Sequence, residues 1–348
     1  MRNGGTGRYA LGWLVLMGIG CAGVAAPDGG DRADGGRPRD GDAGSIERID
    51  ASVRDASVGD ADALDAGAAD ATAPGCGSAP PGAGWVEHAL LHDGLDRAYI
   101  VVAPSSYDAR TPLPLVLAFN GRDGSPEGLE EQTRLSETAE AHDFLLLYPR
   151  GSGGGSWNGG PCCGSAASDD VDDVGFVRAV LDDVEARYCV DTHRIYATGL
   201  SNGGFMANRV GCEIGDRVAA IAPVAGMLLQ DTCTPAQAVG VVHFHGTLDY
   251  IVPYNGNSVL GFPPVEDAIA LWAAADGCDP EPSETYRNGD VVCETYVGCS
   301  GGVEVELCRV RLGGHTWPDG YVRAAGGYTT HDISANEHMW EFFQRHTR

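Results

Sequence analysis

Lysine is absent from this chain: all 23 of its basic side chains are arginine, set against 49 acidic residues, for a formal net charge of −26. Without lysine there is no Schiff-base chemistry and no phosphate loop of the Gly-Lys-Ser/Thr kind. So acidic a chain, with no basic stripe, repels nucleic acid and excludes it as a partner. Hydrophobic runs long enough to span a bilayer are missing too. The apolar stretch Ala10 to Ile19, preceded by Arg2 and Arg8, is too short for that and reads as the core of a signal peptide over residues 1–20. Gly18-Ile19-Gly20-Cys21 is like a bacterial lipoprotein processing site, which makes Cys21 a candidate lipid anchor; an ordinary cleavage site nearby is the alternative. Large apolar residues are nearly absent again from Ala22 to Gly75, where eleven aspartates and one glutamate face five arginines. Such a segment buries too little surface to offset its chain entropy, so residues 21–75 are expected to be a disordered acidic tether.

Beyond the tether stand roughly 270 residues, enough for one domain with a well-buried core, taken as 76–348. Apolar runs at Ala98 to Ala103, Leu113 to Phe119, Phe144 to Tyr148, Arg194 to Thr198, Val218 to Ala222, Val239 to Phe244 and Val305 to Leu312 alternate with helical patterns. Helices are expected over Leu129 to His142, Val171 to Tyr188, Gly204 to Gly211, Val265 to Ala275 and Ala335 to His346. Buried strands alternating with helices predict an α/β fold with a mostly parallel sheet covered on both faces.

Gly199-Leu200-Ser201-Asn202-Gly203 lies between one of these strands and the following helix. A serine on a sharp strand-to-helix turn has its hydroxyl exposed, and the flanking glycines allow so tight a bend. Gly298-Cys299-Ser300-Gly301-Gly302 matches the same string, but no helical pattern follows it, so it reads as a turn. A serine hydroxyl needs a histidine to take its proton, and that histidine needs a carboxylate to fix its tautomer. Asp249 follows the run ending at Phe244, and His315 follows the run Val303 to Leu312 on a glycine-rich loop. Ser201, Asp249 and His315 are therefore the expected catalytic residues, in the order serine, acid, histidine. The oxyanion donors are expected to be the backbone amides of Asn202, next to the nucleophile, and of Arg122, in the loop Asn120-Gly121-Arg122-Asp123-Gly124.

The elbow with its continuation Phe205-Met206-Ala207-Asn208, the strings Tyr148-Pro149-Arg150-Gly151, Trp157-Asn158, Val171-Asp172-Asp173-Val174-Gly175-Phe176 and Ala220 to Gly226, and the His315 loop together resemble the secreted feruloyl esterase and polyhydroxybutyrate depolymerase-like esterases. The resemblance runs from about Gly84 to Arg348 and implies an α/β-hydrolase fold and a Ser-His-Asp esterase working outside the cytoplasm without a cofactor. Ser201, Asp249 and His315 fall on its triad positions. The family usually has His-Gly at the oxyanion loop, where this chain has Asn120.

Of the eleven cysteines, ten remain if Cys21 carries a lipid, an even number that fits five disulfides in an oxidising compartment. Cys278–Cys299 and Cys293–Cys308 are the favoured pairs, while adjacent Cys162 and Cys163 are each expected to bond elsewhere. A zinc cluster is the rival reading, disfavoured because no close Cys-x-x-Cys pairs accompany it; no metal site is expected. The run Asp169 to Asp173 is expected to cap a helix, with calcium binding as the alternative. Trp157 and Trp317 are the expected substrate-binding aromatics, and His243 and His245 are expected to be packing residues.

These observations describe an exported serine esterase acting as a monomer through an acyl-enzyme. Its expected partner is an ester substrate of a plant cell-wall polysaccharide, feruloyl or acetyl, or else a polyester of the polyhydroxyalkanoate kind. A peptidase of the same fold and a non-catalytic surface-anchored binding protein are the remaining alternatives. The expected location is extracellular, with the membrane reached only through a lipid on Cys21.

Overall fold

Segments that are apolar at every position cannot alternate between core and water; they form strands covered on both faces, as Leu113–Phe119 and Leu145–Pro149 do here. The computed structural model describes residues 74–77, 84–230, 232–321 and 326–348, all within one compact unit. The signal peptide, Cys21 and the tether up to residue 73 lie outside the described residues. Among the described residues ten strands form one sheet: β1 (Gly84–His92), β2 (Leu95–Ala103), β3 (Leu113–Phe119), β4 (Leu145–Pro149), β5 (Val190–Leu200), β6 (Ala220–Val224), β7 (Gly240–Gly246), β8 (Ser283–Asn288), β9 (Val291–Tyr296) and β10 (Val305–Val310). Their spatial order is β1-β2-β4-β3-β5-β6-β7-β10-β9-β8. The inner block from β4 to β10 is parallel, and antiparallel pairs extend it on both sides.

Because strand side chains alternate, Leu115, Leu117 and Phe119 enter one core while Val116 and Ala118 enter the other. The first is covered by α4 (Asp173–Arg187), α5 (Asn202–Glu213) and α6 (Val265–Ala275), through Phe176, Val180, Phe205, Val210, Ile269 and Trp272. The second is covered by α1 (Pro126–Thr133), α2 (Leu135–His142) and α7 (Ala335–Gln344). Tyr196 and Phe343 stack there at 4.5 Å. A short helix, α3 (Ser165–Ser168), precedes α4.

The expected single helix from Leu129 to His142 is two, broken at Arg134, which adopts a left-handed conformation (φ 52°, ψ 36°). Its N–H reaches back to Glu130 O while the chain turns so that both Leu129 and Leu135 are buried. The acidic run caps rather than clusters: Asp172 accepts from Gly175 N at the start of α4, and Asp173 is buried against Arg97 at 2.7 Å.

All ten cysteines from Cys76 to Cys308 are paired. Cys278 joins Cys299 and Cys293 joins Cys308. The expectation that Cys162 and Cys163 bond elsewhere is corrected, because they bond to each other. Cys76 with Cys189 and Cys212 with Cys233 complete the set, so no other cysteine among the described residues is left for either neighbour. The zinc reading meets the same fact: Cys293, Cys308, Glu306 and His338 come together, but both sulfurs are already in a disulfide.

Candidate active site

The parallel strands end on one side of the sheet, and the loops leaving β3, β5, β7 and β10 there carry Asn120, Ser201, Asp249 and His315. Ser201 stands between β5 and α5 with φ 60° and ψ −119°, a conformation costly for a residue with a side chain. Backbone contacts hold it there: its N–H donates to Val224 O at 2.9 Å and its carbonyl accepts from Phe205 N at 3.0 Å. The two flanking glycines are needed for space. A Cβ on Gly199 would lie 2.4 Å from Gly203 O, and one on Gly203 would lie 2.0 Å from Phe119 O.

Asp249 is buried just past β7. Its Oδ1 accepts from Ile251 N and Val252 N, both at 2.8 Å, and its Oδ2 accepts from His315 Nδ1 at 2.7 Å. The β7 and β10 loops touch backbone to backbone, since a Cβ on Gly246 would meet Gly313 O at 2.3 Å. His315 N donates to Gly326 O, and a Cβ on Gly314 would strike that same oxygen at 2.1 Å. The glycine-rich sequence around His315 is therefore what lets the imidazole approach Asp249.

Two further histidines lie behind the carboxylate. His243 and His245 are buried, with His243 Nε2 3.0 Å from His245 Nδ1 and His245 Nε2 2.8 Å from Val252 O. Burial lowers both pKa values, for His245 against the pull of Asp249. A neutral His245 donating from Nε2 to Val252 O keeps Nδ1 as an acceptor for His243, and so supports the turn that carries Asp249.

Ser201 and His315 open into one cavity of ≈ 450 Å³. Asn120, Gly121 and Arg122 line it beside the serine, and a Cβ on Gly121 would stand 3.6 Å from Ser201 Cβ. Asn202 begins α5, where the first N–H groups of a helix lack intrahelical partners. The apolar wall comes from Ile251, Val252, Leu260, Phe262 and the Cys162–Cys163 pair. Sequence reasoning overlooked these residues, although Ile251 and Val252 lie two and three positions after Asp249.

No protein-family model matches the chain. Feruloyl esterase B of Piromyces equi is 34% identical over 239 residues, which cover 64% of this chain and 43% of that protein. NocK of Nocardia uniformis subsp. tsuyamanensis, named as an esterase, is 30% identical over 274 residues, covering 72% of this chain and 79% of that one. The chain belongs to this esterase family of α/β-hydrolases. An acetyl xylan esterase structure from Aspergillus awamori shares the fold, with TM-score 0.53 and 16% identity over 74% of this chain and 99% of its own. The chain spans less than half the length of the Piromyces equi protein and 31% of the bifunctional acetylxylan esterase/xylanase of Neocallimastix patriciarum, to which it is 27% identical.

Within this esterase fold the two tryptophans are not where the sequence suggested. Trp157 is 0% and Trp317 1% exposed, and neither lines the cavity. Trp317 donates from Nε1 to Asn336 Oδ1 at 2.8 Å and belongs to the core under α7. Trp157 packs edge-on against Phe119 at 5.1 Å. Trp317 lies two positions after His315 and Trp157 in a loop before a helix, but the apolar surface beneath those loops turns both rings inward.

Proposed function

We propose that this chain is an exported serine esterase that hydrolyses carboxylic esters through an acyl-enzyme. The observation that carries the reading is Ser201, strained at the end of β5, opening into the same cavity as His315, whose Nδ1 is held by buried Asp249 at 2.7 Å. That hydrogen bond fixes the tautomer and leaves Nε2 to accept a proton. Ser201 Oγ adds to the ester carbonyl and its proton passes to His315 Nε2, while the amides of Asn202 and Arg122 hold the oxyanion. Collapse of the adduct breaks the bond to the alcohol, which leaves with the proton from His315. Water, deprotonated by the same nitrogen, adds to the acyl-enzyme and releases the acid and Ser201. Asn120 in place of the family's histidine is compatible with this, because the donor is a backbone amide.

The first-choice substrates are feruloyl or acetyl esters of plant polysaccharides, on the likeness to proteins so named. Polyhydroxyalkanoate is the second reading. It draws on the apolar wall at the cavity and on Ile251 and Leu260, which are half exposed at its edge. Five disulfides favour an oxidising, extracellular setting. A lipid on Cys21 and the tether remain part of the proposal, tested by mass spectrometry of the mature N-terminus. The substrate assignment is tested with purified protein on methyl ferulate, acetylated xylan and hydroxybutyrate oligomers. Turnover of the oligomers alone would replace the polysaccharide reading, and no turnover of any ester would overturn the function.

A further inference from the structure

Trp157 is buried, yet every polar atom of it that is described points at the two loops expected to supply the oxyanion donors. Its indole Nε1 donates to Asn120 O at 3.1 Å, in the loop carrying Gly121 and Arg122. Its backbone is gripped by the first residue of α5: Trp157 N donates to Asn202 Oδ1 at 2.7 Å, and Asn202 Nδ2 donates to Trp157 O at 3.0 Å. A fourth bond returns from the Asn120 loop, where Asn120 Nδ2 donates to Gly155 O at 2.9 Å. The segment is itself anchored from behind, since Asn158 N donates to Asp173 Oδ2 at 2.7 Å and Arg209 Nη1 donates to Asn158 O at 2.6 Å. The ring lies edge-on to Phe119, the last residue of β3, so it cannot shift without moving the strand that delivers Asn120.

We propose that Trp157 is a positioning residue that holds the two halves of the oxyanion hole, the amides of Arg122 and Asn202, at a fixed separation. The proposal rests on the serine-esterase reading above. Charge on a tetrahedral intermediate is stabilised only by donors already in place, and a displacement on the order of 1 Å can cost about a hundredfold in rate. The two donors leave from β3 and β5, neighbours in the sheet that meet at Phe119 and Gly203, and past that contact their separation is set by what braces the two loops. The Gly155–Trp157 segment spans them with two bonds on each side. It also gives Asn120 a reason of its own: the side-chain amide that stands where relatives usually have histidine makes one of those bonds.

The test compares Trp157→Phe, which keeps a buried ring against Phe119 but deletes the Nε1 donor, with Asn120→Ala, which deletes the bond to Gly155. Both are assayed on p-nitrophenyl acetate at 25 °C, with thermal unfolding followed in parallel and phenylboronic acid as a probe that becomes tetrahedral on the serine oxygen. Each variant is expected to lose about ten- to hundredfold in kcat with KM changed less than about twofold, and to bind the boronic acid more weakly by a similar factor. A raised KM with kcat intact would make Trp157 a substrate contact and overturn the proposal. So would wild-type kcat and boronate affinity accompanied only by a lower Tm, which is the signature of a purely structural ring. If Trp157→Phe does not fold, Asn120→Ala carries the same expectation through the other bond. Failure of the underlying reading looks different: Ser201→Ala would then retain activity, whatever Trp157 does.

Discussion

The chain contains the same five-residue pattern twice, and the two copies have little in common beyond their letters. At Gly199–Gly203 the serine sits at φ 60° and ψ −119° between a central strand and a helix, half buried at the cavity. At Gly298–Gly302 the serine is exposed in a single 3₁₀ turn, Ser300–Gly302, with its N–H bonded to Asp276 O at 2.8 Å. The glycines differ in purpose as well. Gly199 and Gly203 are needed because backbone oxygens stand 2.4 and 2.0 Å from where a Cβ would be. Gly302 has nothing within 4 Å, and its glycine serves a φ of +72°. In one copy glycine provides room and the serine bears the strain; in the other glycine provides handedness and the serine bears none.

The largest expected difference between the copies is chemical. Ser201→Ala should lower kcat for p-nitrophenyl acetate by about 10⁴-fold or more, while Ser300→Ala should stay within about twofold. Comparable losses from both would erase the distinction. The glycines sharpen it at the level of stability. Gly203→Ala drives a methyl group into a carbonyl that cannot rotate away, and should cost more than about 3 kcal/mol in urea unfolding together with activity. Gly302→Ala meets only the backbone preference, about 1 kcal/mol. Equal costs would mean that the elbow relaxes around the added methyl group, so that space does not set the choice of glycine there.

Legibility followed the same divide between what a local pattern dictates and what distant packing decides. The inner strands were legible because burial on both faces leaves unbroken apolar runs, and the ends of such runs are where Ser201, Asp249 and His315, the proposed catalytic residues, stand. β1 was overlooked: its burial alternates along Gly84–His92, half facing water, although the Asp93-Gly94 turn that pairs it with β2 is written in the sequence. The polar β8, Ser283–Asn288, was overlooked because an outer strand needs little apolar surface. No proline or glycine announces the break at Arg134, which follows from burying Leu129 and Leu135 together. The direction in which Trp157 and Trp317 point, and the pairing of Cys162 with Cys163, depend on what lies across the fold, so the spacing of residues carried no sign of either.

The disulfides allow a smaller comparison between the same two regions. Cys212–Cys233 ties the last turn of the elbow helix, and Cys278–Cys299 ties the Ser300 turn; both span 21 residues. Equal loop lengths predict equal losses on replacing either pair by alanine, ~3 kcal/mol each in the chain-entropy picture. Urea unfolding of the two double variants checks this. Removing Cys278–Cys299 should leave kcat for p-nitrophenyl acetate unchanged at temperatures where the variant is folded, because that turn has no part in the chemistry. A fall in kcat there would tie the Ser300 region to the active site and break the comparison.

The smallest expected effect lies beneath the Ser300 turn. Asp276, whose carbonyl accepts from Ser300 N, is buried with one carboxylate oxygen bonded to Val239 N at 3.2 Å and the other without a hydrogen-bond partner among the described residues. Burial raises its pKa from 3.8 to about 7, with the Val239 N–H pulling only weakly the other way. The folded state therefore holds this proton more tightly than the unfolded chain does. Stability from the group is complete below about pH 4, falls as pH rises towards 7, and is level above that. The full shift corresponds to about 4 kcal/mol, but water reaching the ionised carboxylate relieves part of the cost, so about 1–2 kcal/mol is expected. Asp276→Asn keeps an acceptor for Val239 N and cannot ionise. Unfolding free energies of wild type and variant, measured at pH 5 and pH 8, should converge or cross in the variant's favour as pH rises, because all other titrations are common to both. A difference between them that does not change with pH would mean that Asp276 is already ionised at pH 5, paired with water or a cation, and that the Ser300 turn rests on a charged carboxylate and not a neutral one.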